Sequence, residues 1–269
     1  MVSYLMARNF TYTALVLRVR PSGESNREIT FLTAEEGLIR ATVFGGPKSK
    51  LRAHAALYHQ GTLWIYRDPA KTFMKVTDFD VQEWRPGIRE LYERAMAAQA
   101  VAETVLEAQG GGGGWPEALA LAGSALDALD AADEAVCRRV IIRFLWNWAE
   151  ILGQQPDLDR CAACGGGSGA APGSGDGALW YSPRDGTALC PSCAGLSAGP
   201  GRAGDAAWET SGYLPARPGV RRWLAAGRGR PLTLTGRLVL DRTAEREAKA
   251  LVAAVLAGAL GKRLSTWEF

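Results

Sequence analysis

The sequence predicts an α+β multidomain protein with three parts: a small N-terminal β-barrel, an α-helical domain and a four-cysteine element. Three observations predict this fold class. Five short β-rich segments separated by turn residues fill residues 11–85. After them, apolar residues recur every three or four positions, which is typical of helices. Two Cys-x-x-Cys pairs then lie between Cys161 and Cys193, and such pairs are typical of a structural metal site.

The N-terminal domain, residues 1–85, is predicted from its strands. The five segments are rich in β-branched and apolar residues and are bounded by glycine, proline or short polar turns. They begin at Tyr12, Glu28, Gly37, Gly61 and Phe73. Five short strands with turns between them predict a small antiparallel barrel. A basic loop, residues 45–52, joins the third strand to the fourth.

The helical domain is predicted from residues 86–160 and 197–269. Its first helix ends at the Gly110–Gly114 run, and five consecutive glycines predict a flexible, unpacked joint. Asp133 and Asp241 each precede a long segment of helical apolar periodicity. Aspartate accepts hydrogen bonds from the free N–H groups at a helix start, so both residues are predicted to be N-caps.

The four-cysteine, zinc-finger-like element occupies residues 161–196. Cys161 and Cys164 form one pair and Cys190 and Cys193 the other, with 25 residues between the pairs. Four thiolates arranged as a tetrahedron bind structural Zn2+. Such a set leaves no open coordination position, which a zinc-dependent hydrolase would need. We therefore expect the metal to stabilise the fold and not to catalyse a reaction.

Metal-free thiols, two disulfides and a redox Cys-x-x-Cys centre are the open alternatives for these cysteines. Met1–Phe10 contains no apolar stretch or cleavage signature of a secretory signal, and we therefore expect a reducing cytoplasm, where disulfides are rare. A redox centre is expected beside a βαβ pattern, not within glycine-rich chain. The fifth cysteine, Cys137, is expected to pack as a small apolar residue of a helix.

Composition and motifs give little indication of catalysis. The chain has 269 residues, is 47% hydrophobic and carries a net charge of +3, which is ordinary for a globular protein. His54 and His59 have no carboxylate or thiol partner at a motif spacing and are predicted to be surface or loop residues. No phosphate-binding P-loop is present, and no apolar run reaches membrane-spanning length. We expect neither an enzyme nor a membrane protein.

Basic and aromatic residues of the first domain indicate a surface for nucleic acid. A small barrel binds single strands through a cationic groove that follows the phosphates and through aromatic faces that stack on bases. Aromatic residues in strands are also typical of a core, and this alternative stays open. The candidate cations are Arg18, Arg20, Arg27, Arg40, Lys48, Lys50, Arg52, Arg67, Lys71 and Lys75. The candidate stacking residues are Phe44, Tyr58, Trp64, Tyr66 and Phe73.

Several segments, taken in this order, resemble the RecO family of recombination mediators. In the barrel region these are Ala14-Leu-Val-Leu-Arg18, Gly23-Glu-Ser-Asn-Arg27, Glu36-Gly-Leu-Ile39 and a glycine-rich basic loop that ends in Ser49-Lys50. Farther along the chain they are Phe144–Leu152, Pro156-Asp-Leu158, Cys161-Ala-Ala-Cys-Gly165 and Leu260-Gly-Lys-Arg-Leu-Ser265.

The resemblance implies that the N-terminal barrel is an OB-fold. It implies a role in DNA repair and homologous recombination, in which the protein binds single- and double-stranded DNA, anneals complementary strands and helps load RecA recombinase onto coated single strands. The implied partners are RecR and the single-strand DNA-binding protein, with structural Zn2+ as cofactor and the cytoplasm, near the nucleoid, as location. The alternative function is a zinc-stabilised protein-interaction scaffold without nucleic-acid binding.

Overall fold

The structure is a computed structural model, and two compact units, Met1–Ala131 and Ala132–Phe269, make up the chain. The finer division predicted from the sequence, with boundaries after residues 85, 160 and 196, stays a prediction. The structure describes residues 8–46, 48–68, 73–167, 177–195 and 212–268.

The first unit begins with a closed five-stranded barrel, as the sequence predicts. Around the barrel the strands follow the order β1-β2-β3-β5-β4. Alternate residues point inward, and the rings of Phe31 and Phe79 meet edge to face in the core at 5.8 Å. The elements are β1 (Asn9–Ser22), β2 (Asn26–Thr33), β3 (Gly37–Val43), the short helix α1 (Lys50–His54), β4 (Gln60–Asp68) and β5 (Phe73–Glu83).

One strand pair corrects the prediction of an antiparallel barrel. β3 and β5 run parallel where Thr42 pairs with Lys75, whereas the other four strand pairs are antiparallel. The reason is parity, because strands that alternate in direction around a closed ring must be even in number. Five strands therefore leave one parallel pair.

Two helices pack against the barrel within the same unit. A three-ten turn (Pro86–Arg89) leads from β5 into α2 (Tyr92–Glu107), and α3 (Trp115–Asp130) follows. The two helices contact each other, and both contact β1. Arg85, just after β5, donates from Nε to the Asp127 carboxylate at 2.6 Å, so a buried guanidinium joins the barrel end to α3.

The start of the Gly110–Gly114 run is packed, so the prediction of an unpacked joint is wrong there, whereas Gly112 and Gly113 are exposed. Gly110 and Gly111 are buried, and a Cβ atom on Gly110 would lie 3.3 Å from the Leu38 side chain. The first four glycines have φ angles of 80°, 92°, 66° and 121°. Side chains other than hydrogen disfavour this backbone region, so the turn from α2 to α3 requires glycine.

The second unit combines helices with a small sheet. The helix α4 packs against α6 and α7, and α7 also packs against α5 and β8. Strand order in the sheet is β7-β6-β8. The elements are α4 (Glu134–Ile151), β6 (Leu179–Ser182), β7 (Thr187–Leu189), β8 (Leu214–Ala216), α5 (Pro218–Ala225), α6 (Leu232–Thr235), α7 (Arg242–Leu260) and a three-ten turn (Ser265–Glu268).

Both predicted N-caps of this unit are confirmed. Asp133 accepts a hydrogen bond from the Val136 N–H at 2.7 Å at the start of α4. Asp241 accepts one from the Ala244 N–H at 2.9 Å at the start of α7. Cys137 is buried in α4, as expected of a small apolar residue. Within the described residues, no helix combines the length and the apolar character that a membrane crossing requires.

Candidate metal centre and nucleic-acid interface

The first Cys-x-x-Cys pair lies in a tight turn that follows α4. The Gly165 N–H donates to the Cys161 carbonyl oxygen at 2.9 Å, and the Cys161 N–H donates to the Gly166 carbonyl oxygen at 2.9 Å. Gly165 has a φ angle of 71°, which glycine adopts without the steric penalty of a side chain. The turn therefore brings Cys164 back toward Cys161.

The second pair follows the hairpin of β6 and β7 and repeats this geometry. The Ala194 N–H donates to the Cys190 carbonyl oxygen at 2.9 Å, and Gly195 has a φ angle of 68°. A further backbone hydrogen bond, from the Ala162 N–H to the Ala188 carbonyl oxygen at 2.9 Å, joins the first turn to β7. The hairpin therefore carries the second pair to the first.

The four thiol sulfurs meet in one cluster, as the spacing predicts. The Sγ atoms of Cys161, Cys164, Cys190 and Cys193 all lie within 4.8 Å of one another, and those of Cys164 and Cys190 are 3.9 Å apart. A tetrahedral ion with metal–sulfur bonds of about 2.3 Å has sulfur–sulfur edges of about 3.8 Å. The four cysteines are free thiols in the structure. The cluster can therefore hold a metal ion, and four ligands leave no position open for a substrate.

Electrostatics within the cluster also favour a bound cation. Burial opposes ionisation of Cys161, but backbone hydrogen bonds from Cys190, Cys164 and Ala163 outweigh it and lower the pKa of this thiol to about 6. Hydrogen bonds to the other three cysteine side chains raise the pKa of Cys193 to about 12. The four groups cannot all ionise without a compensating positive charge, which a metal ion supplies.

One arginine of the second unit stabilises the metal element from outside the cluster, and a second joins the end of β8 to α7. Arg221 is buried and donates to the Leu158 carbonyl oxygen and to the Gly177 carbonyl oxygen, each at 2.8 Å. Leu158 precedes the first pair and Gly177 precedes β6, so one guanidinium joins both segments that enter the element. Arg217 donates from its backbone and its side chain to the Glu247 carboxylate on α7 at 2.7 and 2.6 Å.

Cross-strand register places four of the predicted cations on one outer face of the barrel. Directly paired residues lie on the same side of a sheet, and the positions concerned alternate with the core residues Ile29 and Ala41. We call Arg18, Arg20, Arg40 and Lys75 the cationic face; all four are exposed except Arg18, which is half-buried. Read across the strands, the rows are Arg18, Thr30 and Arg40, and then Arg20, Glu28, Thr42 and Lys75.

An aromatic pair extends the cationic face. The rings of Phe44 and Phe73 lie 5.8 Å apart, and the Lys75 Nζ lies 5.6 Å from the Phe44 ring centroid. Phe44 is 41% exposed, so its ring is accessible to a ligand. Accessible rings beside cations are the combination that single-strand-binding surfaces use.

The part of β5 beyond Lys75 carries the opposite charge. Asp78 pairs with Trp64, and Asp80 pairs with Thr62. Both aspartates are exposed. Because like charges repel, a polyanion that approaches the barrel is directed away from this part of β5 and toward the cationic face.

Arg67, a predicted cation, is already paired. Its Nη2 donates to the Glu36 carboxylate at 2.7 Å and to the Tyr12 hydroxyl at 3.0 Å. Burial raises the pKa of Glu36, but the hydrogen bonds from Arg67 and Tyr12 outweigh it and bring the pKa below its usual value. The charge of Arg67 is therefore largely matched within the barrel.

The remaining predicted residues lie in several different places. Lys48 and Lys50 are exposed at the start of α1. Tyr58 is buried, and its hydroxyl donates to a glutamine of α2 at 3.3 Å, so its ring belongs to the packed interior. Tyr66 is half-buried and pairs directly with Lys75 of the cationic face. Lys71 lies outside the described residues.

A cleft at one end of the barrel brings together residues that the sequence did not connect. We call it the barrel-end cleft; it has a volume of about 690 Å3 and lies between the β1–β2 hairpin, α1 and the chain after β5. The predicted cations Arg27 and Arg52 line it with Arg89, Trp84 and His59. Sequence reasoning missed Trp84 and Arg89, because no motif links them to α1 or to the hairpin.

His59 lies in the loop between α1 and β4, as one of the two predicted alternatives has it, but it is not a surface residue. His59 is 3% exposed, and its Nδ1 lies 2.8 Å from the His54 carbonyl oxygen. Its ring and that of His54 contact Trp84 edge to face at 4.9 and 5.4 Å. Burial first, and then the nearby charge of Arg89, lowers the pKa of His59 below 6.5. We therefore treat His59 as a neutral residue at neutral pH.

Comparisons with known proteins cover nearly the whole chain. The family model described as Recombination protein O N terminal matches residues 6–83, and the model described as Recombination protein O C terminal matches residues 89–268. A DNA repair protein RecO from Anaeromyxobacter sp. (strain Fw109-5) is 31% identical over 269 residues, which cover 98% of this chain and 96% of the relative. A DNA repair protein RecO from Desulfitobacterium hafniense is 31% identical over 216 residues, which cover 80% of this chain and 68% of the relative. The chain therefore belongs to the RecO family of DNA repair proteins.

Proposed function

We propose that this protein is a nonenzymatic mediator of DNA repair by homologous recombination. It binds single- and double-stranded DNA, anneals complementary strands and helps load RecA recombinase onto single strands coated by the single-strand DNA-binding protein. RecR and this coating protein are its partners, and it acts in the cytoplasm on the nucleoid. Family membership supports the general role, and the cationic face carries the proposal of direct DNA contact.

The cationic face supports binding that does not depend on base sequence. Four cations in two cross-strand rows offer contacts to phosphates, which position DNA without reading it. The exposed Phe44 adds a ring on which any base can stack, because every base has a π-face. A protein that anneals arbitrary complementary strands needs this sequence-independent type of contact.

Structural Zn2+ is part of the proposal. Cys161, Cys164, Cys190 and Cys193 are the ligands, and the ion supplies a cross-link between the turn after α4 and the β6–β7 hairpin. The binding free energy of such an ion acts as folding free energy of the element that holds it. The metal therefore maintains the shape of the second unit, and no bond-breaking step depends on it.

A salt titration tests the proposal. Binding of a fluorescent oligothymidylate should weaken as salt rises, with a slope of log affinity against log salt of about −3 for four neutralised phosphates. Changing Arg40→Gln or Lys75→Gln should make the slope less steep by about 0.7 each. Arg67→Gln is the matched comparison on the same barrel, with a smaller expected change because Glu36 already pairs with this arginine.

The same titration separates the proposal from the alternative function. Absence of salt-dependent binding to single-stranded DNA by the unmodified protein would reject DNA mediation. It would leave a zinc-stabilised scaffold for protein interactions as the better account. Binding that Arg40→Gln and Lys75→Gln leave unchanged would instead move the DNA site away from the cationic face.

A further inference from the structure

We propose that the barrel-end cleft binds one unpaired nucleotide of single-stranded DNA. In this arrangement the base stacks on Trp84 and the phosphate contacts the three arginines of the cleft. The inference rests on the proposed DNA-binding function and adds a second, single-strand-specific site to the cationic face. The arginines are Arg27, Arg52 and Arg89.

The three arginines converge from separate elements. Arg27 lies on β2, Arg52 on α1 and Arg89 in the three-ten turn after β5. None of them forms an ion pair within the described residues, in contrast to Arg67 and Arg85. Uncompensated guanidinium groups that face one cavity are a phosphate site by charge and by hydrogen-bond geometry.

The net charge of all the residues that line the cleft is also positive. Glu24, on the exposed tip of the β1–β2 hairpin, is the one carboxylate among the lining residues. With neutral His59, three arginines and one glutamate give the lining a net charge of +2. Arg89 is also held in place, because its Nη2 donates to the Leu57 carbonyl oxygen at 3.3 Å.

Trp84 supplies the stacking surface. The rings of His54 and His59 contact the indole edge to face and hold it, yet Trp84 remains 46% exposed. An aromatic side chain that is fixed by its neighbours but accessible in a cleft contributes little buried area to the core. Such a ring is suited to stacking on a planar ligand. The cavity volume of about 690 Å3 lies in the range of small-molecule sites.

The shape of the cleft selects single strands. In a duplex the bases are stacked inside and paired, so they cannot turn a face to an indole in this cleft without unstacking, which carries a free-energy penalty. An unpaired base carries much less of this penalty. The β1–β2 hairpin carries Arg20 of the cationic face and Arg27 of the cleft, so one DNA strand can reach both surfaces along it.

Binding of short oligonucleotides to the full chain tests the inference. The probe is a 12-nucleotide oligothymidylate with one central 2-aminopurine, whose emission falls when it stacks on an aromatic ring. We expect the unmodified protein to quench this emission. Trp84→Leu should abolish the quench and weaken binding roughly 5- to 150-fold, the range for loss of one stacked base. Tyr92→Leu, at an exposed aromatic residue at the start of α2, is the matched control and should change neither readout.

Two further probes separate stacking from charge. On an oligonucleotide of the same length with abasic sites, Trp84→Leu should have no effect, whereas Arg52→Gln should weaken binding to both oligonucleotides. The Arg52 side chain makes no hydrogen bond within the described residues, so this variant is expected to keep the fold. Affinity for a matching duplex should change less than twofold in Trp84→Leu.

Several results would overturn the inference. If Trp84→Leu weakens binding of the abasic and normal oligonucleotides equally, Trp84 acts through the fold and not by stacking. A glutamate-rich peptide that competes as strongly as the oligonucleotide would show that the cleft selects charge alone. If neither Trp84→Leu nor Arg52→Gln changes salt-dependent binding, the inference fails while the proposed function stands. If the unmodified protein does not bind the oligonucleotide, both the inference and the proposed function fail.

Discussion

Replacing Arg85 by methionine should detach the α2–α3 pair from the barrel. Arg85 is 5% exposed and donates three hydrogen bonds. They reach the Asp127 carboxylate at 2.6 Å, the Tyr58 carbonyl oxygen at 2.8 Å and the Gln60 side-chain oxygen at 2.9 Å. Methionine retains the length and apolar stem of the side chain but donates to none of these acceptors.

The size of the loss in stability depends on whether water can solvate each acceptor once the arginine is gone. Asp127 keeps 43% of its side chain exposed, so water solvates its charge once the arginine is gone, and the full penalty of an isolated buried charge does not apply. The buried carbonyl oxygen of Tyr58 and the oxygen of Gln60 each lose a donor, at about 1–3 kcal/mol apiece. Part of this is recovered because the guanidinium no longer has to be desolvated. We expect a loss of about 2–4 kcal/mol in the free energy of unfolding of the first unit.

Urea denaturation with hydrogen exchange checks this expectation. The variant should unfold at lower urea, and exchange should accelerate in α3 and in β4 more than in the second unit. Asp127→Asn is the control, because it keeps an acceptor at a half-exposed position and should lose under about 1 kcal/mol. An Arg85→Met protein no less stable than Asp127→Asn would refute the idea that this guanidinium fixes the helices to the barrel.

Three further predictions concern pH, metal and packing. The folded state resists protonation of His59, so the free energy of unfolding should fall as pH drops below 6.5. The urea midpoints measured at pH 7 and 5.5 should therefore differ less in His59→Gln than in the unmodified protein. An equal difference in the two proteins would contradict this. Cys164→Ser, or a strong chelator, should remove about one metal ion per chain and lower the melting temperature of the second unit; metal analysis that finds no ion in the unmodified protein would contradict it. A Cβ atom on Gly61 would lie 2.0 Å from the Asp80 carbonyl oxygen, so Gly61→Ala should destabilise the barrel by about 3 kcal/mol in urea denaturation. Gly46 has open space around it, so Gly46→Ala is the control and should leave the stability unchanged in the same assay.

The features that could be predicted from the sequence are those that depend on residues close together in the chain. Asp133 caps the helix that begins at the next residue, and the two residues between Cys161 and Cys164 determine a turn by themselves. The barrel was predictable in the same way, because each strand carries its own pattern of β-branched residues. Even the parallel pair could have been deduced, since the odd strand count alone requires it.

Contacts between distant segments could not be predicted. Nothing near Arg67 in the sequence indicates that Glu36 neutralises it across the barrel, and nothing near His59 indicates that Trp84 covers it. The glycine run was misinterpreted for the same reason, because composition alone does not distinguish a loose joint from a turn packed on Leu38. Register decides which cations share a face, and it is set by pairing across the whole barrel.

The number of cations on the barrel fits the proposed role better than a larger number would. With four phosphates neutralised, raising the salt concentration from about 50 to about 200 mM weakens DNA binding roughly 50-fold. Binding through this face is therefore readily reversible. A mediator must release its strand to a recombinase, and a tighter electrostatic contact would oppose that transfer. Asp78 and Asp80 on β5 act in the same direction, because they disfavour DNA contact on their side of the barrel. Under this proposal, the barrel-end cleft adds discrimination between single and double strands through stacking on Trp84, which is an uncharged contact, while its three arginines add one further phosphate contact to the salt dependence.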